Sequence, residues 1–157
     1  MAVKEPSRRA HRQLAFQALY GQEFLDCHTV NDLKKAFLAV PRQDEAPDSE
    51  EPSGFAWELV LGVWQNRNEL DAVIEKFARN WRLDRVGRVE LNLLRLGVYE
   101  MLYRADVPCK VSMNEALELD KQYGDARSHT FVNGILDVIP AGAKFVDGNE
   151  HAYHGEA

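Results

Sequence analysis

Three arginines near the start of the chain precede two aromatic residues at helical spacing. The segment reads "SRRAHRQLAFQALY" and contains Arg8, Arg9, Arg12, Phe16 and Tyr20. On a helical wheel, Arg9, Arg12 and the two aromatics share one flank beside the apolar stripe. Cations neutralise phosphates, and aromatic faces stack on unpaired bases. This flank is a candidate nucleic-acid surface, and a solvated flank with two packed aromatics is the alternative interpretation.

A second pairing of a cation with an aromatic residue occurs in "YGDARSHTFVNG". Arg127 and Phe131 are four residues apart, so they share a face if the helix begins early enough. Asp125, Ser128 and His129 in the same segment are the residue types of a hydrolase triad. A triad requires groups that converge from oriented supports beside an oxyanion hole. We therefore interpret Asp125 and Ser128 as helix caps.

The remaining ionisable pairs predict structural roles. Glu115 and Glu118 are three residues apart on one helix face, without the histidine of a metal-binding pair. Arg95 interrupts an apolar helix and needs a carboxylate partner, for which Glu115 is our candidate. The tail motif "HAYH" and the two separated cysteines give no metal site. Nucleotide-binding, zinc-protease and nucleophile-elbow motifs are absent. We therefore expect no catalytic site and no cofactor. The expected role is binding.

Composition and charge favour a single soluble domain with one locally basic end. The 157 residues are 45% hydrophobic and carry a formal charge of −6. No apolar run approaches the roughly 18 residues that span a bilayer, and the basic start does not resemble a signal peptide. We therefore expect a cytoplasmic protein that does not bind a membrane. The local basic patch, rather than the net charge, determines whether a polyanion binds.

Helical periodicity predicts an all-α bundle of about seven helices. The expected N-caps are Ser7, Ser53 and Asn68, and Gly124 is expected as a C′ residue. The central helix is expected to be apolar on nearly all sides. The predicted helices cover about 7–24, 30–40, 53–64, 69–80, 88–103, 110–124 and 128–139. We predict one domain over 1–143, an acidic Pro-rich loop at 41–54 and a flexible tail at 144–157.

Three segments together resemble the NusB family of bacterial transcription antitermination factors. They are "RRAHRQLAFQALY", "LNLLRLGVYEML" followed by "DVPCKVSMNEALEL", and "GDARSHTFVNGILD". The resemblance covers about Ser7 to Ile139. It implies an all-helical fold of two packed subdomains and a non-catalytic role. Such proteins bind the boxA segment of nascent RNA together with the ribosomal protein NusE. With other Nus factors they help RNA polymerase to read through terminators, chiefly on ribosomal RNA operons.

The resemblance also implies which surfaces bind. In the family, RNA meets the arginine-rich first helix and the turn before the last helix. Some of these residues match the family's motifs by position, and the others come from the two pairings of a cation with an aromatic residue described above. The RNA-binding residues predicted in this way are Arg8, Arg9, Arg12, Phe16, Tyr20, Arg127 and Phe131. Glu90 matches a glutamate at the RNA or NusE surface, and Asp84 is assigned with it to partner binding. Ala10 and His11 make the basic run thinner than in strongly basic relatives, and Arg127 stands where a relative can have an acid.

Two alternatives belong to other classes. Some RNA cytosine methyltransferases carry a NusB-like accessory domain, but such enzymes need a further α/β domain for which 157 residues leave no room. A homo-oligomeric interaction module would hide the first helix in its own interface. Because the family admits monomers and dimers, a homodimer is compatible with RNA binding.

Overall fold

The computed structural model describes residues 7–42, 51–78 and 85–139. Within these ranges every regular element is a helix, which confirms the all-α prediction. None of these helices is long and apolar enough to cross a membrane. The tail at 144–157, most of the acidic loop and Asp84 lie outside the described residues. The helices are α1 (Arg8–Gln22), α2 (Val30–Ala39), α3 (Phe55–Gln65), α4 (Arg67–Phe77), α5 (Arg88–Tyr103), α6 (Cys109–Tyr123) and α7 (Ala126–Val138).

The chain divides into two compact units, Met1–Gln65 with α1 to α3 and Asn66–Ala157 with α4 to α7. In the first unit the three helices pack on one another through small and apolar side chains. Alternating small and large residues on α1 allow a close approach of its neighbours. The buried apolar residues of this unit are Ala15, Phe16, Ala18, Leu19, Leu33, Ala36, Phe37, Phe55, Ala56, Trp57, Leu59, Val60 and Val63.

At both ends of α2, side chains form hydrogen bonds with backbone groups. Thr29 is the N-cap, and it forms a capping box with Asp32. At the other end, Arg42 donates hydrogen bonds to the carbonyl oxygens of Phe37 and Leu38. Its guanidinium lies 4.8 Å from the centroid of the Phe37 ring, and burial lowers the pKa of Arg42. Arg42 therefore closes the C-terminus of α2.

The start of α3 depends on glycine. Gly54 has a φ of +92°, and its carbonyl oxygen accepts a hydrogen bond from the N–H of Glu58. Gly54, rather than the expected Ser53, therefore occupies the N-cap position of α3. A positive φ strains residues with a Cβ, so glycine suits this turn. Phe55, the first residue of α3, follows it directly.

In the second unit, α5 is the central helix and packs against α4, α6 and α7. This confirms the prediction from its all-round apolar sequence, and its bounds agree with the predicted 88–103. A Cβ added at Gly97 would lie 3.0 Å from the Cβ of Ala116, so glycine lets α5 and α6 approach closely. The prediction for α4 was wrong by two residues, because Asn66 rather than Asn68 precedes its first turn.

Candidate nucleic-acid interface

The start of α1 presents positive charge to solvent. The Oγ of Ser7 accepts a hydrogen bond of 3.1 Å from the N–H of Ala10, which confirms Ser7 as the N-cap. Arg8 and Arg9 follow in the first turn and are exposed, and this turn contains no acidic residue. The N-terminus of a helix carries a partial positive charge of its own. Two exposed guanidinium groups and the helix end thus place positive charge at one point of the surface, which is the arrangement an anion-binding site requires.

An aromatic ring of α3 lies beside these cations. The Cζ of Arg8 is 4.2 Å from the centroid of the Phe55 ring, and the Cζ of Arg12 is 5.3 Å from it. The ring of His11 meets Phe55 edge-on, with centroids 6.2 Å apart. We call these four residues the cation–aromatic cluster. The helical wheel of α1 could not reveal it, because Phe55 lies more than forty residues further along the chain.

Arg12 differs from the two preceding arginines. It is only 3% exposed, whereas Arg8 and Arg9 are at the surface. A buried guanidinium cannot reach a phosphate without a change of conformation, so this burial argues against a direct RNA contact by Arg12. Its place over the Phe55 ring instead indicates a role in packing α1 on α3.

Two aromatic residues of α1, Phe16 and Tyr20, form a row with Phe24, which lies just beyond the end of the helix. The rings of Phe16 and Tyr20 are stacked with centroids 6.1 Å apart, and Tyr20 meets Phe24 edge-on at 5.1 Å. Phe16 is only 2% exposed, so it has no open face for a base, whereas Tyr20 is half-buried. Phe24 is 60% exposed and was missed as a candidate, although the spacing of four residues continues to it. Stacking by Phe16 and Tyr20 stays a prediction, and exposure favours Tyr20 over Phe16 and adds Phe24 as a further candidate.

The start of α7 is held by hydrogen bonds. Asp125 is the N-cap and forms a capping box with Ser128, which confirms the interpretation of both residues as caps. The helix begins at Ala126, early enough to include both Arg127 and Phe131. Arg127 is exposed, but Phe131 is only 5% exposed. The structure therefore leaves Arg127 as a surface cation and places Phe131 in the core.

A buried carboxylate on α6 supports this helix start. Asp120 is 1% exposed, accepts a hydrogen bond of 2.7 Å from the Oγ of Ser128, and pairs with the Nδ1 of His129. A Cβ added at Gly124 would lie 2.2 Å from oxygens of both Asp120 and Ser128. Gly124 directly follows α6, as expected for a glycine that ends a helix, but its φ of −95° is not the left-handed value common at such glycines. Glycine is needed here for space. We call Asp120, Ser128 and His129 the α7 lock.

The α7 lock also explains why the triad residue types are present without hydrolase geometry. The Oγ of Ser128 is buried, accepts from the N–H of Asp125 and donates to Asp120. His129 is bound to the same carboxylate rather than to the serine hydroxyl. In a hydrolase triad the serine hydroxyl donates to the histidine and is open to the substrate, whereas the Ser128 hydroxyl donates to Asp120 and is buried. Ser128 is therefore built into the fold as a cap.

The ion pair shown for Arg95 was missed from the sequence. Its Nε and one terminal nitrogen donate to the two carboxylate oxygens of Asp71 on α4, at 2.7 and 2.8 Å. This bidentate ion pair joins α4 to α5 and gives Arg95 the carboxylate partner that the sequence predicted it to need. The pairing with Glu115 on α6 stays a prediction.

The two tentative partner-binding residues have different outcomes. The carboxylate of Glu90 folds back over the start of α5, with one oxygen 2.2 Å from where a Cβ of Gly87 would lie. Its role toward a partner stays a prediction, and Asp84 lies outside the described residues. Among the described side chains, no group of three acidic, histidine or cysteine residues is arranged to hold a metal ion.

Comparison with known proteins agrees with this architecture. The model of the NusB family matches residues 9–140. A transcription antitermination protein NusB from Nitratidesulfovibrio vulgaris (strain DP4) is 54% identical over 145 residues, covering 92% of this chain and 93% of the relative. A solved structure of T. maritima NusB superposes with a TM-score of 0.72 at 32% identity, covering 85% of this chain and 90% of that one.

A second solved structure contains partners. It is a crystal structure of the antitermination factors NusB and NusE in complex with dsRNA, and its matching chain superposes with a TM-score of 0.66 at 29% identity. The match covers 83% of this chain and 92% of the other. The described helices and the basic start of α1 define an all-α module with a candidate phosphate-binding surface. The chain belongs to the NusB family.

Proposed function

We propose that this protein is a non-catalytic transcription antitermination factor that binds boxA-containing single-stranded RNA of nascent ribosomal transcripts together with NusE. The observation that carries the proposal is the pair of exposed arginines at the start of α1. Both lie at a helix N-terminus whose first turn has no acid, on a chain with a formal charge of −6. Such local positive charge on an acidic protein limits phosphate binding to one surface.

The comparisons support the partner assignment. A protein similar to this chain over most of its length has been crystallised with NusE and RNA. We propose the same kind of complex here, acting on RNA polymerase with other Nus factors in the cytoplasm. Arg8, Arg9 and Arg127 supply cations, and Tyr20 supplies an aromatic face. We further propose that the protein is not an enzyme, since the hydroxyl of Ser128 and the ring of His129 are engaged by Asp120.

The test is RNA titration of a charge-reversed variant. Replacing Arg8 and Arg9 with glutamate removes two phosphate contacts, so affinity for a boxA-like single-stranded RNA should fall by at least about tenfold. The dependence of log affinity on log salt should become shallower by about 1.4, at roughly 0.7 per phosphate on a single strand. Each titration is run with and without NusE, and with a scrambled RNA as a control.

A matched variant separates local from total charge. Replacing Lys35 and Lys110, two exposed lysines on α2 and α6, with glutamate changes the net charge by the same amount. This control should bind RNA within about twofold of the wild type at moderate salt. Equal losses of affinity in the two double variants would contradict a binding surface at the start of α1. Binding that neither NusE nor the boxA sequence improves would contradict the antitermination role.

A further inference from the structure

The turn before α3 brings an aromatic ring against the basic start of α1. Gly54, with its positive φ, lies near His11, whose Cε1 is 4.0 Å from where a Cβ of Gly54 would be. Phe55 follows and is only 9% exposed. Its ring centroid lies closer to the exposed Arg8 than to the buried Arg12, at 4.2 against 5.3 Å. One ring thus contacts both a buried cation and a surface cation.

A contact of this kind holds an arginine while leaving it able to bind phosphate. The attraction comes from the electron-rich face of the ring, which is not a conventional hydrogen-bond acceptor. The guanidinium donors lie in its plane and form a fork that matches a phosphate. An arginine that already lies against a ring loses less rotamer freedom when it binds, and this favours affinity.

We propose that Phe55 is a positioning residue for RNA binding, which holds the guanidinium of Arg8 at the start of α1 in a phosphate-binding arrangement. The inference rests on the proposed function and extends it to a residue of α3. Arg12 has a different task in the same cluster. Because it is buried beside the ring, it fixes the distance between α1 and α3 and so keeps Phe55 beneath Arg8.

The direct test replaces the ring and retains apolar volume. Phe55→Leu should weaken binding of a boxA-like RNA by about two- to fivefold, the range expected for a partly exposed cation–π contact. Phe55→Tyr retains an aromatic face and should bind as the wild type does. Should Phe55→Leu not fold, Phe55→Met takes its place, since an unbranched thioether fills the same site without a ring.

Another ring of the same unit provides the control. Phe37 is also buried and lies 4.8 Å from a guanidinium carbon, that of Arg42, which closes the C-terminus of α2. Phe37→Leu makes the same chemical change and should reduce stability to a similar degree. It should leave RNA affinity within about twofold of the wild type when both variants are measured at equal folded fraction.

Two readouts separate positioning from general destabilisation. The Nε–Hε resonance of Arg8 should be shielded by the ring in the wild type and in Phe55→Tyr, and should move downfield in Phe55→Leu. In the Arg8→Gln background, Phe55→Leu should cause no further loss of RNA affinity, because the coupled partner is already gone.

The outcomes distinguish this inference from the proposed function. Weaker RNA binding by Arg8→Gln together with unchanged binding by Phe55→Leu overturns the positioning role alone. An equal loss from Phe55→Leu with and without Arg8 overturns it as well. Equal RNA affinity of the wild type, Arg8→Gln and Arg9→Gln overturns the proposed RNA surface, and the positioning role with it.

Discussion

The starts of α1 and α7 both present arginines to solvent, but they are stabilised by different kinds of contact. At α1, guanidinium groups lie against the ring of Phe55. At α7, hydrogen bonds from Ser128 and His129 converge on the buried carboxylate of Asp120. The first kind of contact depends on area and proximity, while the second depends on bond angles and fully satisfied polar atoms.

Under the proposed function, this difference has consequences for how each surface would bind RNA. A cation over a ring can slide by a fraction of an ångström at little cost, so the α1 start can adapt to the position of a phosphate. The hydrogen bonds of the α7 lock weaken quickly when bent, so Arg127 is carried on a rigid helix start. We expect mutations in the α7 lock to affect stability first, and mutations in the cation–aromatic cluster to affect RNA binding as well.

The largest expected effect comes from removing the carboxylate of the α7 lock. Asp120→Ala leaves the hydroxyl of Ser128 and the ring of His129 without their buried acceptor. The free energy of unfolding should fall by about 3 kcal/mol. Urea unfolding followed by circular dichroism measures this, with Asp137→Ala as the control, since Asp137 is an exposed carboxylate on α7. A loss below about 1 kcal/mol would contradict the lock.

The next effect separates the buried arginine from an exposed one. Arg12→Gln removes the packed guanidinium beside Phe55 and should cost about 1–2 kcal/mol of unfolding free energy. Arg9→Gln should cost less than about 0.5 kcal/mol. The salt dependence of RNA binding should show the reverse order, becoming shallower by about 0.7 for Arg9→Gln and unchanged for Arg12→Gln. Equal changes of slope would mean that Arg12 does reach phosphate.

The helix cap at α1 carries a smaller expected effect. Ser7→Ala removes the hydrogen bond from the N–H of Ala10 and should reduce the free energy of unfolding by about 1 kcal/mol. Ser53→Ala is the matched control, because Ser53 was predicted as a cap but Gly54 occupies that position. It should change stability by less than about 0.5 kcal/mol. Similar losses from both serines would show that Ser53 caps α3 after all.

Local patterns explain what was predictable in this fold. Helical periodicity and the sequence "RVELNLLRLGVYEMLY" identified α5 with its observed bounds, because apolar residues on all sides require a central position. The caps at Ser7, Asp125 and Ser128 were predictable because each bond spans only three residues. Asn68 was wrong as a cap because Asn66 lies close by and helix ends are the least sharply defined part of the pattern.

The contacts between distant segments were not predictable in the same way. Arg95 was expected to pair with a carboxylate, but which carboxylate depends on how α4 packs against α5. Likewise, the burial of Phe16 and Phe131 reflects their tertiary neighbours rather than their wheel positions. Phe55 lies within the helix predicted over 53–64, but only the three-dimensional structure shows that its ring contacts Arg8 and Arg12.

The smallest expected effect concerns the start of α2, where the carboxylate is not buried, in contrast to the buried carboxylate at the start of α7. The capping box of α2 resembles that of α7, but among the described residues no buried acid contacts it. The carboxylate of Asp32 accepts hydrogen bonds from the backbone N–H groups of His28 and Thr29, and these bonds lower the pKa of Asp32. A carboxyl whose pKa is lowered by folding stabilises the folded state above its ordinary pKa, near 4. This contribution is lost as the pH falls through the lower folded-state value.

Asp32→Asn should therefore remove a small part of the acid sensitivity of unfolding below about pH 4. At neutral pH it should cause only a slight loss of stability, because an asparagine can still accept a hydrogen bond at a capping box. Urea unfolding at a series of pH values from neutral to acid measures both effects. Asp26→Asn is the control, since Asp26 is a highly exposed carboxylate in the same segment. An acid dependence unchanged by Asp32→Asn, or changed equally by Asp26→Asn, would contradict the assignment to the α2 cap.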